Sequence, residues 1–339
     1  MKLKFIIFII LTSLSIEVKA QDPIFTQYFF VPETLNPAFT GTLNTWYTGI
    51  IHRVQWPDGD KKITTDYGFV NGSLDTDGKM AVGLTFLNNH EVFTDYNLFQ
   101  VNGAFAYNIN INSDWKLRLG IEAGYANKNY NFSSILLADQ ITKTTGSITD
   151  VSGDPSLAGY KESFGYFDIS SGLLLYDDNF WFGVALKHLS TPNIAFTDVA
   201  DVPLSMFLSV QGGYSFDIGS FDFIFRDDVN LLVTANYMRQ SQYNRLDFGG
   251  AFEFDKFTLG TTISLNPEGK SDESQILTSI NPFASIQIQR FVLGYSYDIN
   301  TSAFGNNKGI HELSLTFQIG RECSTCNNYL VNKPWGRNY

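Results

Sequence analysis

Apolar and polar residues alternate one by one along most of the chain after residue 44, the pattern of β-strands with one apolar and one polar face. The clearest case lies near the C-terminus. One face there carries His311, Leu313, Leu315, Phe317 and Ile319, and the other carries Glu312, Ser314, Thr316 and Gln318. Similar alternation covers residues 115–125, 245–254, 256–265 and 291–298. The pattern therefore predicts an all-β protein.

About fourteen such segments fit between residues 44 and 320, and most are about ten residues long, as a tilted strand must be to cross a bilayer. Strands of soluble β-sandwiches are shorter, about 5–6 residues on average. The apolar face is rich in aromatic residues, while the opposite face mixes charged residues with glycine. We therefore predict a transmembrane antiparallel β-barrel of about 14 strands, with lipid outside and a polar lumen inside.

The connections between these segments tend to alternate in length. Long ones cover residues 129–162, 191–202, 266–275 and 300–307, and short ones cover 110–113, 177–179 and 255–256, although 240–243 departs from the trend. Short periplasmic turns and longer outer loops are typical of outer-membrane barrels. An even number of strands then predicts that both termini lie in the periplasm.

The flanking segments lack the strand pattern. Residues 1–20 have the positive start, apolar centre and small-residue cleavage site of a signal peptide, with a buried N-terminal element as the alternative. Residues 21–43 are rich in Pro and Asn, and proline bars them from central strands. We expect this segment to lie in the periplasm or to plug the lumen, and residues 321–339 to form a periplasmic C-terminal tail.

Composition narrows the function classes. The 339 residues are 44% hydrophobic, 15% aromatic and 17% charged, which excludes intrinsic disorder. The formal net charge of -11 argues against nucleic acid as a partner, because phosphate binding needs a basic surface. The longest apolar run, Phe5 to Leu11, is too short for a spanning helix. The expected location is the cell outer membrane.

Three local motifs invite a chemical interpretation, and none is complete. Cys323 and Cys326 favour a small disulfide loop, with free or partner-linked thiols, or a metal or redox site, as alternatives. His188 and Ser190 on one strand face resemble part of a lipase site, but no orienting group or oxyanion site announces itself. Residues 75–78 begin like a calcium loop but lack its later acidic ligands. We expect no catalytic residue, no metal site and no cofactor.

Three groups of residues resemble a known family. They are the opening 21–28 (QDPIFTQY) with 35–41 (LNPAFTG), the segment 52–56 (HRVQW), and the closing 293–298 (LGYSYD) with 309–315 (GIHELSL). A middle stretch, 168–192, is similar to the paired central strands of the same family. The family is PorP/SprF, outer-membrane proteins of the type IX secretion system, and the resemblance covers essentially the whole chain after the predicted signal peptide.

The resemblance implies a role without catalysis: secretion or surface anchoring of a large adhesin of the gliding-motility type. The barrel would hold the adhesin's C-terminal sorting domain and contact periplasmic secretion or gliding components. The residues that we predict to bind a partner are Asn36, Pro37, Phe39, Gly41, Arg53, Gln55 and Trp56. The alternative function is a porin-like or hydrophobic-solute channel, because a barrel of this size can enclose a lumen.

Overall fold

The computed structural model describes residues 22–43, 45–57, 61–131, 138–141, 147–148, 160–198, 200–220, 228–268, 276–301 and 309–319. Within these ranges it contains fourteen strands. They are β1 (Trp46–Gln55), β2 (Ile63–Ser73), β3 (Met80–Glu91), β4 (Tyr96–Asn110), β5 (Lys116–Tyr130), β6 (Ser163–Tyr176), β7 (Phe180–Lys187), β8 (Phe207–Ser220), β9 (Asp228–Gln240), β10 (Tyr243–Phe254), β11 (Phe257–Leu265), β12 (Leu277–Ile288), β13 (Phe291–Asn300) and β14 (Ile310–Ile319).

Each strand pairs antiparallel with its neighbours in the chain, and β1 pairs with β14, which closes the barrel. Closure leaves no unpaired strand edge, and an unpaired edge would be too costly in the bilayer because no water is there to bind its polar groups. The period-two pattern decides which side chains face the lumen. In β14, Glu312, Ser314 and Thr316 are buried inside, while Leu313 and Leu315 are exposed on the outer wall. The predicted fold, an antiparallel barrel of fourteen strands, is confirmed.

The two ends of the barrel differ in their connections. One end, called here the long-connection end, carries the connections that follow the odd-numbered strands, including 131–162 and 188–206. The other, the short-connection end, carries turns such as 177–179, 255–256 and 289–290. It also carries the start of β1 and the end of β14. The inequality between the two ends agrees with the trend in the sequence.

Helical structure is limited to short 3₁₀ turns at Pro32–Thr34, Pro37–Phe39 and Ala138–Gln140 in the described ranges. Among the residues described, no helix has the length and hydropathy needed to cross a bilayer.

The lumen contains the chain's own N-terminal segment. Residues 22–43, called here the plug, lie inside the barrel, and most of their side chains are buried. Irregular backbone is tolerated at membrane depth where protein surrounds it. An apolar cluster joins the plug to the wall: it contains Tyr28, Phe29, Phe30, Leu35, Ala38 and Phe39 from the plug and Leu174, Tyr176, Trp181, Phe207, Leu232, Met238, Ala251 and Phe283 from the strands. The barrel therefore has a packed interior.

Candidate functional site

The plug crosses the lumen from one end to the other. Asp22 donates its backbone N–H to Gln240 at the end of β9, which places it at the long-connection end. At the other end of the plug, Arg118 near the start of β5 donates to the carbonyl of Thr40 at 2.6 Å. Residues 1–21 and 320–339 lie outside the described ranges. The periplasmic placement of the termini therefore stays a prediction, but the first described residue is at the mouth opposite to the end of β14.

Proline and asparagine shape the plug locally. Pro32 and Pro37 stand at the first position of the two 3₁₀ turns, where their fixed φ fits and no N–H is needed. The side-chain oxygen of Asn36 accepts from the backbone N–H of Ala38 at 2.9 Å, which caps the second turn. Gly41, just after that turn, has φ of +66°, a conformation that glycine adopts without strain.

A buried carboxylate on β14 binds the plug backbone. One oxygen of Glu312 accepts from the backbone N–H of Thr26 at 2.9 Å, and the other accepts from the N–H of Gln27 at 3.0 Å. The first oxygen also accepts from Nε of Arg53 at 2.9 Å, in an ion pair whose side chains are 6% and 0% exposed. Arg53 and Glu312 are directly opposite each other on β1 and β14. We call this arrangement the Glu312 clamp.

Side-chain contacts extend the clamp on both sides. The hydroxyl of Thr26 donates to the carboxylate of Asp298 on β13 at 2.7 and 2.8 Å. The amide of Gln27 donates to the backbone carbonyl of Glu312 at 3.0 Å and accepts from the hydroxyl of Ser314 at 2.6 Å. Two consecutive plug residues thus have their backbone N–H and side-chain polar groups bound by the barrel wall, in keeping with the pairing that buried polar groups need.

The opposite wall approaches the plug through glycines. The amide of Asn36 donates to the carbonyl of Leu173 at 2.9 Å and to the side chain of Gln211 at 3.2 Å. A Cβ atom at Gly172 would lie 2.0 Å from the Asn36 side chain, and one at Gly120 would lie 2.3 Å from the backbone nitrogen of Ala38. Larger residues at these inward positions would leave no room for the plug.

A histidine joins the plug to the long-connection end. His188 follows β7 with φ of 60° and is 3% exposed. Its Nε2 lies 2.7 Å from a carboxylate oxygen of Asp22, and its Nδ1 lies 2.6 Å from a carboxylate oxygen of Asp168 on β6. Burial disfavours a charged imidazole, but Asp22 and Asp168 outweigh that effect and raise the pKa of His188 to about 9. Burial acts against ionisation of Asp22 as well, but His188 holds the pKa of that carboxyl well below its usual range.

This geometry does not resemble a hydrolase site. The prediction that His188 and Ser190 share one strand face is wrong, because β7 ends at Lys187. The hydroxyl of Ser190 donates to Asp168 at 3.0 Å, and both ring nitrogens of His188 face carboxylates. A histidine bound in this way has no nitrogen available to accept the serine proton.

The residues predicted to bind a partner fall into two groups. Asn36, Pro37, Phe39 and Gly41 are buried in the plug. The second group lies on and just after β1 and consists of Arg53, Gln55 and Trp56. Arg53 belongs to the Glu312 clamp and also donates to the side chain of Gln55. Trp56 has φ of 51° and donates its backbone N–H to the carbonyl of Gly309. The structure thus brings Arg53 to the plug and leaves Trp56 at the long-connection end. The partner role of the seven residues stays a prediction.

Two predicted residues lie outside the described part of the chain, and four residues of the site were not predicted. Cys323 and Cys326 lie outside the described residues. Among the described residues no group of three or more His, Cys, Asp or Glu side chains could hold a metal ion. The sequence interpretation did not single out Glu312, Asp298, Asp168 or Asp22, although alternation alone puts the first three on the inner face. An acidic residue at a buried inward position was the available signal.

Comparison with known proteins identifies a family. The family described as type IX secretion system membrane protein PorP/SprF matches residues 17–317. Among curated proteins, none matches this chain.

Solved barrels are similar only at a low level. A Pseudomonas aeruginosa FadL homologue is 11% identical, with a TM-score of 0.45, covering 84% of this chain and 94% of that chain. The CymD monoaromatic hydrocarbon channel is 12% identical, with a TM-score of 0.44, covering 90% and 95%. These values say nothing about what this barrel binds or passes. The family match covers most of the chain, and the chain belongs to the PorP/SprF family of type IX secretion system membrane proteins.

Proposed function

We propose that this protein is a non-enzymatic outer-membrane barrel that supports the secretion and surface anchoring of a large adhesin of the gliding-motility type. The observation that carries the proposal is the packed lumen. The plug is bound by the Glu312 clamp on one wall and by Asn36 on the other, so the barrel is a solid element rather than a conduit. A solid barrel in the membrane is suited to anchoring a surface protein.

The two ends of the barrel have different roles in this proposal. The long-connection end faces the cell exterior and binds the C-terminal sorting domain of the adhesin. Exposed apolar side chains on the 188–206 connection, Leu189, Val202 and Met206, are 41%, 39% and 51% exposed and supply contact area. The short-connection end faces the periplasm, where type IX secretion or gliding components bind. Export by residues 1–20 brings the chain there.

The alternative function, a porin-like or hydrophobic-solute channel, needs a continuous path through the lumen. The plug occupies that path in the described structure, and two cavities beside the plug measure about 40 and 210 Å³. In the part of the chain that the structure describes, no observation favours the channel over the anchor.

The proposal is tested with surface variants that leave the lumen unchanged. In the native bacterium, the double variant Val202→Asp, Met206→Asp should retain normal barrel levels in the outer membrane. Its surface-attached adhesin should fall several-fold and appear in the medium or periplasm, as measured by quantitative proteomics of each fraction. Leu74→Asp, at an exposed position (55%) of the short-connection end, is the matched control. Unchanged adhesin display in a strain that lacks the barrel altogether would refute the proposed function.

A further inference from the structure

Two titratable groups are buried where the plug meets the barrel wall. The first is His188, whose two ring nitrogens each face a carboxylate oxygen, of Asp22 and Asp168, at 2.7 and 2.6 Å. Ionised carboxylates only accept hydrogen bonds, and a neutral imidazole has one donor. Both contacts are therefore satisfied only when both nitrogens carry protons, so the geometry itself requires an imidazolium.

The second group is Glu33, on the first 3₁₀ turn of the plug. Its side chain is 5% exposed, and its Oε1 has no hydrogen-bond partner among the described residues. It lines a cavity of about 40 Å³ together with Glu122 of β5 and Lys187 of β7. The ammonium of Lys187 donates to the carbonyl of Thr34 at 3.0 Å. The backbone N–H of Glu33 itself donates to the carboxylate, but burial and the neighbouring Glu122 oppose ionisation more strongly, so Glu33 is stable there as a neutral acid.

We propose that the plug binds protons at His188 and Glu33 as it seats in the barrel, and that alkaline conditions release it. The two groups act in the same direction for different reasons. His188 must be charged to bind Asp22, and Glu33 must be neutral to stay buried. The charged and titratable groups around His188 are Asp22, Asp168, Glu122, Lys128 and Lys187. Those around Glu33 are Glu122, Lys187, Asp22, Tyr47 and Tyr67.

The electrostatic environment supports this direction. Burial raises the pKa of Glu33 to about 8, and Glu122 adds to the effect. The pKa of His188 is raised to about 9 despite burial. Released into water, a glutamate titrates near 4.3 and a histidine near 6.5. Both groups therefore hold more protons when the plug is seated, so its stability falls as the pH rises from about 4.5 to about 9. Asp22, with a lowered pKa, contributes nothing to this slope above about pH 5.

The size of the effect follows from the number of protons bound. Between pH 5.5 and 7.5 Glu33 takes up close to one proton on seating, so the constant for plug release should rise by about tenfold per pH unit. His188 adds to the slope above pH 6.5. It adds less than one full proton, because Asp168 stays beside it after Asp22 leaves.

Plug release is measured by the labelling of a buried thiol. Val31 is 0% exposed, and Val31→Cys is close in volume. The full chain, with the native cysteines changed to serine, is reconstituted in liposomes and labelled with a maleimide from pH 5.5 to 9. Each rate is divided by that of an exposed thiol made by Leu189→Cys, which removes the pH dependence of the reagent. The expected result is a relative rate that rises by at least tenfold per pH unit near neutrality.

Two substitutions separate the groups. Glu33→Gln mimics the neutral acid and should flatten the slope between pH 5.5 and 6.5, where His188 contributes little. It should also slow labelling at pH 5.5 by about tenfold, because the slope of the unsubstituted protein begins near pH 4.5. His188→Asn should weaken seating at every pH and retain the slope of Glu33. Glu162→Gln, at an exposed position, is the control that should leave both properties unchanged. A relative rate that is independent of pH in the unsubstituted protein, or a slope between pH 5.5 and 6.5 that survives in Glu33→Gln, would overturn the proposal. The pH dependence of the relative labelling rate in the unsubstituted protein tests the proposal even if a variant does not fold.

Discussion

Replacement of Glu312 by glutamine should weaken the barrel more than any exposed charge removal. In the native protein its carboxylate accepts from Thr26, Gln27 and Arg53 at 2.9 to 3.0 Å and is fully buried. Glutamine keeps the shape but removes the charge and turns one acceptor into a donor, which faces a backbone N–H group. Arg53, 6% exposed, is left without its charge partner. Breaking a buried ion pair from one side costs about 3–5 kcal/mol.

The position next to Arg53 on β1 supplies a matched control. His52 points to the outer wall and pairs with Asp66 on β2 at 2.7 Å, but these side chains are 52% and 49% exposed. Asp66→Asn should therefore cost less than about 1 kcal/mol, since exposed pairs contribute little. The two variants compare pairs of similar length, one inside and one outside the barrel.

The measurement is urea-dependent unfolding in detergent micelles, followed by tryptophan fluorescence, with free energies from linear extrapolation. Plug exposure is followed in parallel by limited proteolysis of the plug. The Glu312 variant should lose several times more stability than the Asp66 variant and should expose the plug before the barrel unfolds. Equal losses for the two variants would refute the clamp as the main polar attachment of the plug.

Two further predictions concern the plug and the orientation of the barrel. Gly120→Leu places a side chain where Ala38 lies, so it should displace the plug and give a steady conductance in planar bilayers. The control Gly103→Leu, on the outer wall with open space, should give no conductance. A Gly120→Leu barrel without conductance would contradict the close approach of the plug to β5. In a cysteine-free background, Leu189→Cys at the long-connection end should react with a membrane-impermeant maleimide on intact cells. Asp178→Cys at the short-connection end should not react. The reverse result would show that the barrel has the opposite orientation in the membrane.

The strand pattern was readable from the sequence because burial on one face imposes a period of two. For β14 this correctly gives the inward set that includes Glu312 and Ser314. The same alternation puts Arg53 on the inner face; its register opposite Glu312 is a separate fact that comes from the closure of the barrel. These are local properties of a pleated strand, and no distant contact is needed to infer them.

The sequence does not decide the position of the plug, and the reason is physical. Its proline content excludes the segment 21–43 from central strands, but it does not tell whether the segment lies in the lumen or in the periplasm. The deciding contacts are long-range: Thr26 binds side chains more than 270 positions away in the chain. His188 was placed on a strand because its left-handed backbone leaves no trace in a hydrophobic pattern. Its two carboxylate partners come from β6 and from the plug.

Conductance of the unmodified protein tests the central claim most directly. Purified full-length protein, reconstituted in planar bilayers at pH 6 to 7, should insert without giving a steady open pore, because residues 22–43 fill the lumen. A stable, ohmic conductance from the unmodified protein would contradict a packed barrel and favour a solute channel.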